Sequence, residues 1–114
     1  MILIFLIFYF MTNGFVYLIE SFYEGSITYK IGKTNRKIDN RLKEISTLNP
    51  SQLKVLFVFE SKNYSVLEKT LHRIYDTKKI NGEWFKEIDL DDFKNKCIVT
   101  EKSLFDINNF NFSF

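Results

Sequence analysis

The apolar and polar positions of the chain fall into short segments with different periods. Gly14 to Glu20 reads Gly-Phe-Val-Tyr-Leu-Ile-Glu, a β-branched and aromatic run that predicts a strand. Ser21 to Ser26 contains Gly25 and reads as a turn, and Ile27 to Ile31 reads as a second strand. So short a link makes the pair an antiparallel hairpin. Gly32 to Lys37 is polar and reads as a turn rich in hydrogen-bond donors. Ile38, Leu42 and Ile45 then recur at helical spacing, which predicts a helix over about 38–48, stopped by Asn49-Pro50. Arg41 lies beside Leu42 and should run along the inner margin of that helix.

Leu53 to Glu60 is the most apolar strand candidate, with residues for both faces of a sheet. Ser65-Val-Leu-Glu68 has the spacing of a capping box and opens a second helix through about Thr77, with Val66, Leu67, Leu71 and Ile74 as its apolar side. Glu68 and His72 are one turn apart, and Tyr75 follows on the same flank. Ile80 to Ile88 holds Asn-Gly-Glu-Trp-Phe, a turn signal followed by large aromatics, and predicts a short strand or hairpin arm. Leu90 to about Lys96 predicts a helix, with Asp91 and Asp92 favourable at its start. Asn108 to Phe114 shows no period and reads as a frayed tail.

Composition changes this picture little. The 114 residues are 46% hydrophobic and 26% charged, which describes one globular domain. One Cys excludes an intrachain disulfide, and with one His it excludes Cys-cluster and multi-histidine metal sites. Cys97 reads as structural. Residues 1–11 are continuously apolar but shorter than the roughly 20 residues a spanning helix needs. They show neither a basic n-region nor a cleavage site. They read as an extension ahead of the fold with Met11 as the working start; an edge strand and a weak membrane anchor are the other readings. The expected organisation is an extension over 1–11, a folded domain over 12–98 and a tail over 99–114. The expected location is intracellular, without membrane association.

Charge does change the picture. Net charge is only +2. Yet Lys30, Lys33, Arg36, Lys37, Arg41 and Lys43 fall within fourteen positions, against one acid, Asp39. Positive charge gathered at a turn and a helix start suits a phosphate-bearing partner, or else marks a solvated turn.

The order of these segments resembles the GIY-YIG superfamily, and more narrowly its phage-type DNA-binding branch. The first motif corresponds to Phe15-Val16-Tyr17 and the second to Lys30-Ile31-Gly32, followed by Lys33-Thr34. The family arginine falls on Arg41 and the family glutamate on Glu68, within Leu-Glu-Lys-Thr-Leu-His. The closing motif is Gly82-Glu83-Trp84-Phe85. The likeness covers about Gly14 to Ile88. Two positions depart from the nuclease pattern. Phe-Val stands for Gly-Ile in the first motif, and Lys30 stands for the second tyrosine, as is typical of the phage-type branch.

The resemblance implies an α+β fold, a small central three-stranded antiparallel sheet flanked by helices. It implies a DNA partner and hydrolysis of DNA phosphodiester bonds with Mg2+ or Mn2+ and no small-molecule cofactor. The alternative is a DNA-binding module that cleaves weakly or not at all. A domain this small also leaves room for a separate targeting protein. Glu68 is either the metal ligand or the partner of Ser65 in the capping box. Arg41 is expected on a phosphate oxygen, and Tyr17 as a proton acceptor or a water-orienting group. Lys30 is expected as a cation on the phosphate, and His72 as a hydrogen-bond donor or helper of a base. Lys30, Lys33, Arg36, Lys37, Arg41 and Lys43 are the expected DNA contacts. Glu83 is a possible second acidic contact, and Trp84 reads as core.

Overall fold

In a computed structural model, residues 13–48 and 52–112 are described. The elements are β1 (Gly14–Tyr23), β2 (Ser26–Thr34), α1 (Ile38–Leu48), β3 (Gln52–Ser61), α2 (Tyr64–Ile74), a 3-10 turn (Asp76–Lys78), β4 (Lys79–Asn81), β5 (Trp84–Phe85) and α3 (Leu90–Phe112). The readings for residues 1–11 and for Asn49-Pro50 lie outside the described residues. The five strands form one antiparallel sheet in the order β3-β1-β2-β5-β4. The class is α+β, with an open antiparallel sheet and three helices among the described residues. The sheet has five strands, not three, because the Ile80–Ile88 segment folds into two short strands. β5 pairs with β2 only through Tyr29↔Phe85 and Lys30↔Trp84.

Strand alternation sorts the core into two layers. Val16, Leu18 and Ile31 point to one face, where they meet Leu67 and Leu71 of α2 and Phe93 and Cys97 of α3. Tyr17 and Ile19 point to the other face, against Ile45 of α1, with Ile38, Leu42, Leu53, Val55 and Val58 around them. β3 serves both layers, as its composition predicts. The β1–β3 register shifts between Leu18 and Ile19, which leaves Leu56 as an extra residue beside Phe57. Leu56 and Phe57 accordingly pack together against the α2–α3 layer.

Several boundaries differ from the sequence reading. The hairpin turn is only Glu24-Gly25, with φ of 51° and 79°, a two-residue turn whose twist matches the flanking strands. Ser21 to Tyr23 therefore belong to β1. β2 continues through Gly32, Lys33 and Thr34, which pair with Tyr17, Val16 and Phe15. Gly32 sits in a strand because the Tyr17 ring crosses it. A Cβ there would overlap the phenol oxygen and ring carbons of Tyr17. The third helix runs well past Lys96, to Phe112. Neither Gly nor Pro follows Leu90 to stop it, and Phe93, Cys97 and Leu104 hold one flank on the core. The Tyr75 hydroxyl donates to Asp92 at 2.6 Å and ties α2 to α3. Cys97 is buried, and burial pushes its thiol up to about 12, so it is an inert core residue.

Candidate functional site

The rotation of α2 decides what the sheet meets. Its buried residues are Leu67, Glu68 and Leu71, while Val66 is 52% exposed and Ile74 also faces solvent. The helix has turned a carboxylate inward and a valine outward, against the hydrophobic pattern. Nor does the capping box form. α2 starts two residues early, at Tyr64, with Asn63 rather than Ser65 at the cap and no side-chain cap hydrogen bond. With Ser65 inside the helix, its hydroxyl receives a hydrogen bond from Lys33 Nζ at 3.3 Å instead.

Glu68 is thus freed from a capping role. It is 8% exposed, and His72 Nε2 lies 3.8 Å from its Oε1. Burial raises its pKa, the charge of His72 opposes that rise, and Glu83 adds to it. Lys33 and Lys30 then favour the ionised form.

His72 has another task. Past Trp84, β5 no longer covers the edge of β2, so the backbone of Ile31 needs other partners. Its N–H donates to the Glu83 carbonyl at 3.1 Å. Its carbonyl oxygen lies 2.9 Å from His72 Nε2, and the only group there that can donate is the imidazole N–H. The ring also meets Phe85 edge-on, with centroids 5.0 Å apart. His72 is therefore fixed between the open edge of β2 and Glu68.

On the opposite face of the sheet, Arg41 Nε donates to the Tyr17 hydroxyl at 3.2 Å, and Arg41 Nη1 donates to Glu44 at 3.1 Å. Tyr17 itself is fully buried. Desolvation raises its phenol pKa; Arg41 counteracts the rise, and Glu83 and Glu68 add to it. Burial thus favours the neutral phenol. It anchors Arg41, whose side chain stays 30% exposed. Arg36 makes a two-pronged pair with Glu44, at 2.7 and 3.0 Å. Glu44 thus bridges both arginines.

Lys30 is buried and paired with Glu83, with its ammonium 5.5 Å from the centre of the Trp84 ring. Trp84 is only half-buried, and Phe85 is the aromatic that enters the core. Lys37 and Lys43 are exposed around α1 and form no ion pair among the described residues.

Two open clefts lie where these groups meet. One, of about 350 Å³, is lined by Lys33, Thr34, Asn35, Arg36, Arg41, Tyr64 and Ser65. The other, of about 450 Å³, runs along α2 and includes Glu68. The Lys33–Ser65 contact belongs to both. The structure brings Tyr17, Arg41, Lys33, Lys30, Glu68 and His72 into one electrostatic neighbourhood around the open end of β2. It leaves Lys37 and Lys43 outside. Sequence reasoning missed Glu44, although Arg41-x-x-Glu44 is an ordinary i,i+3 pairing signal. It also missed Lys69 and Arg73, which share one flank of α2.

Among the described residues, no group of three or more His, Cys, Asp or Glu side chains converges as a metal cage. The donor chemistry at Glu68 fits a different kind of site. A hard divalent ion of the Mg2+ type takes one or two carboxylates and fills its shell with water and phosphate oxygens. No helix among the described residues is long and apolar enough to cross a membrane. The family model described as the T5orf172 domain matches residues 14–101. No match is found among curated proteins or among solved structures.

Proposed function

The chain belongs to the T5orf172 domain family, and from that premise and the geometry above we propose that it is a DNA-binding domain of GIY-YIG type that hydrolyses DNA phosphodiester bonds with Mg2+ or Mn2+. One observation carries the reading. A buried carboxylate with no capping role, Glu68, and an arginine anchored by a buried phenol, Arg41, flank the same exposed lysine, Lys33. Phosphodiester hydrolysis needs this combination of an oxygen ligand for a cation and fixed positive charge for the phosphate.

In this reading Arg41 holds a non-bridging phosphate oxygen, with its guanidinium oriented by Tyr17. Lys33 adds a second cation beside the same phosphate. Glu68 is the residue that would hold the divalent ion, with Glu83 close enough to add negative charge. When bound, such an ion withdraws charge from the phosphate and eases deprotonation of a water. His72 keeps Glu68 and the β2 edge in register through the Ile31 carbonyl. Water oxygen ends on phosphorus, one ester P–O bond breaks, and the leaving oxygen takes a proton. Tyr17 takes part as a positioning residue for Arg41, not as a base. Lys30 keeps Glu83 and Trp84 in place instead of reaching for the phosphate.

A second reading has its own observation. Lys30 is committed to Glu83 and the Tyr17 phenol is sealed from solvent, so the family's tyrosine chemistry has no free group here. A binding module that does not cleave fits those two facts. Either way the partner is DNA, and targeting by another protein remains compatible with so small a domain.

The test is equilibrium binding of a labelled DNA duplex to the full chain in EDTA, followed by magnesium addition and a denaturing gel. Affinity should fall steeply between about 50 and 200 mM salt, and cleaved strands should appear with metal. Flat salt dependence would rule out the nucleic-acid reading, and binding without cleavage would select the second one. The Glu44 bridge gives a further expectation. Glu44→Gln should tighten DNA binding and steepen the salt slope by up to about two, because it releases Arg36 and Arg41 for phosphates. Weaker binding would mean that Glu44 is needed to aim Arg41.

A further inference from the structure

Half of the positive charge that the sequence assigns to a phosphate partner is already engaged inside the protein. Lys30 is held by Glu83, Arg36 by Glu44, and Arg41 by Tyr17 and Glu44. The ion pairs among the described residues include none formed by Lys33, Lys69 or Arg73. These three cations line a single cleft along α2, together with Ser65, Thr70 and Glu68. Lys69 and Arg73 are exposed and four residues apart, so they stand one above the other on the same flank of the helix.

Exposed basic residues on a helix are ordinarily a solvated face. Here two features set them apart. They border a concave surface of about 450 Å³, and that surface joins the Arg41 cleft through the Lys33–Ser65 contact. A polyanion passing over Lys33 would lie in both clefts at once.

We infer that the α2 cleft is a second phosphate subsite, in which Lys69 and Arg73 hold the DNA backbone next to the phosphate contacted by Arg41. This rests on the DNA reading above and extends it. The strand runs across the open end of β2 and onto α2, placing Glu68 between the two phosphate contacts. Thr70 contributes little, because its hydroxyl is turned back to the Val66 carbonyl at 2.8 Å. The subsite is built from charge and not from base-edge contacts, so it strengthens binding without selecting sequence.

The test is a salt titration of duplex binding by fluorescence anisotropy, with the full chain in EDTA. It compares wild type, Lys69→Ala with Arg73→Ala, and Lys102→Ala, an exposed lysine on α3, as control. The double variant should lose about two units of slope in log K against log salt and bind at least about tenfold more weakly near 100 mM salt. The control should match wild type. Because both side chains are exposed, the double variant should melt as wild type does. A double variant with wild-type slope would overturn the subsite, while a reduced slope in Lys33→Ala or Arg41→Ala would leave the DNA reading standing. A wild-type protein that does not bind DNA would sink both.

Discussion

Glu68→Gln is expected to lose strand cleavage by two to three orders of magnitude or more, to hold DNA at least as tightly as wild type, and to melt at a higher temperature at neutral pH. The loss follows because the amide keeps the shape of the side chain but not the charge that would bind a cation. Tighter binding follows from removing a negative group beside Lys33. The stability gain comes from linkage. Burial is the main reason that the Glu68 pKa lies above the ordinary carboxylate value, with Glu83 adding to it and His72, Lys33 and Lys30 opposing it. A group whose pKa rises on folding stabilises the fold while protonated. That contribution fades as pH climbs through the folded value. Above that value the wild type has lost it, and the glutamine variant, neutral at every pH, should be the more stable there. The gap should close as pH falls into the carboxylate range, around 4. Thermal melts from pH 4 to pH 8 give the answer. A glutamine variant less stable at pH 7 would mean that Glu68 is a structural carboxylate with partners worth more than its desolvation.

Gly32→Ala should destabilise the domain by about 1–3 kcal/mol, or on the order of 5–15 °C in melting temperature. β1 and β2 pair Tyr17 directly with Gly32, and the phenol lies over the glycine where a Cβ would sit. The tyrosine is fully buried, so its ring cannot simply swing to solvent. If the ring shifts within the core, Arg41 loses the hydroxyl that orients it, and phosphate binding weakens too. A double-mutant cycle separates this from a general strand defect. In a Tyr17→Leu background the alanine should cost markedly less, since the shorter side chain leaves room for the methyl group. Equal cost in both backgrounds would show that the overlap is not the cause.

The pairing makes Tyr17 and Gly32 a single packing unit, although nothing in the sequence marks them as partners. The first hairpin, α1 over Ile38–Leu48 and the apolar β3 were readable because each relies on local periodicity or turn chemistry. The length of α3 was harder to read. Its overall amphipathic signal is weak, and contacts with β3 and α2, such as Phe57 on Phe93 and Tyr75 on Phe93, hold it in place. The paired strands β4 and β5 were too short to separate by pattern.

Around the candidate site, tertiary structure overrides local rules. Ser65 and Glu68 have capping-box spacing, but α2 begins at Tyr64 and spends neither side chain on its own end. Val66 fits the apolar stripe, yet Glu68 takes the inward place. Burying a carboxylate beside a histidine 3.8 Å away costs desolvation, so the local pattern does not predict it. In the sequence Lys30 belongs to a run of six cations with one acid, Asp39. Its partner Glu83 is 53 positions away and reaches it only through the β2–β5 pairing. Arg36 and Arg41 belong to the same run of charge, and Glu44 bridges them in the fold.

The central claim is that the edge of β2 hydrolyses DNA around Glu68. Supercoiled plasmid incubated with the purified full chain tests it most directly, in magnesium or manganese, in EDTA, and with Glu68→Gln alongside. The account predicts nicked circles that require the metal and are absent with the variant. Plasmid that stays supercoiled with wild type in both metals, under conditions where the DNA is bound, would contradict it; so would nicking that survives in Glu68→Gln.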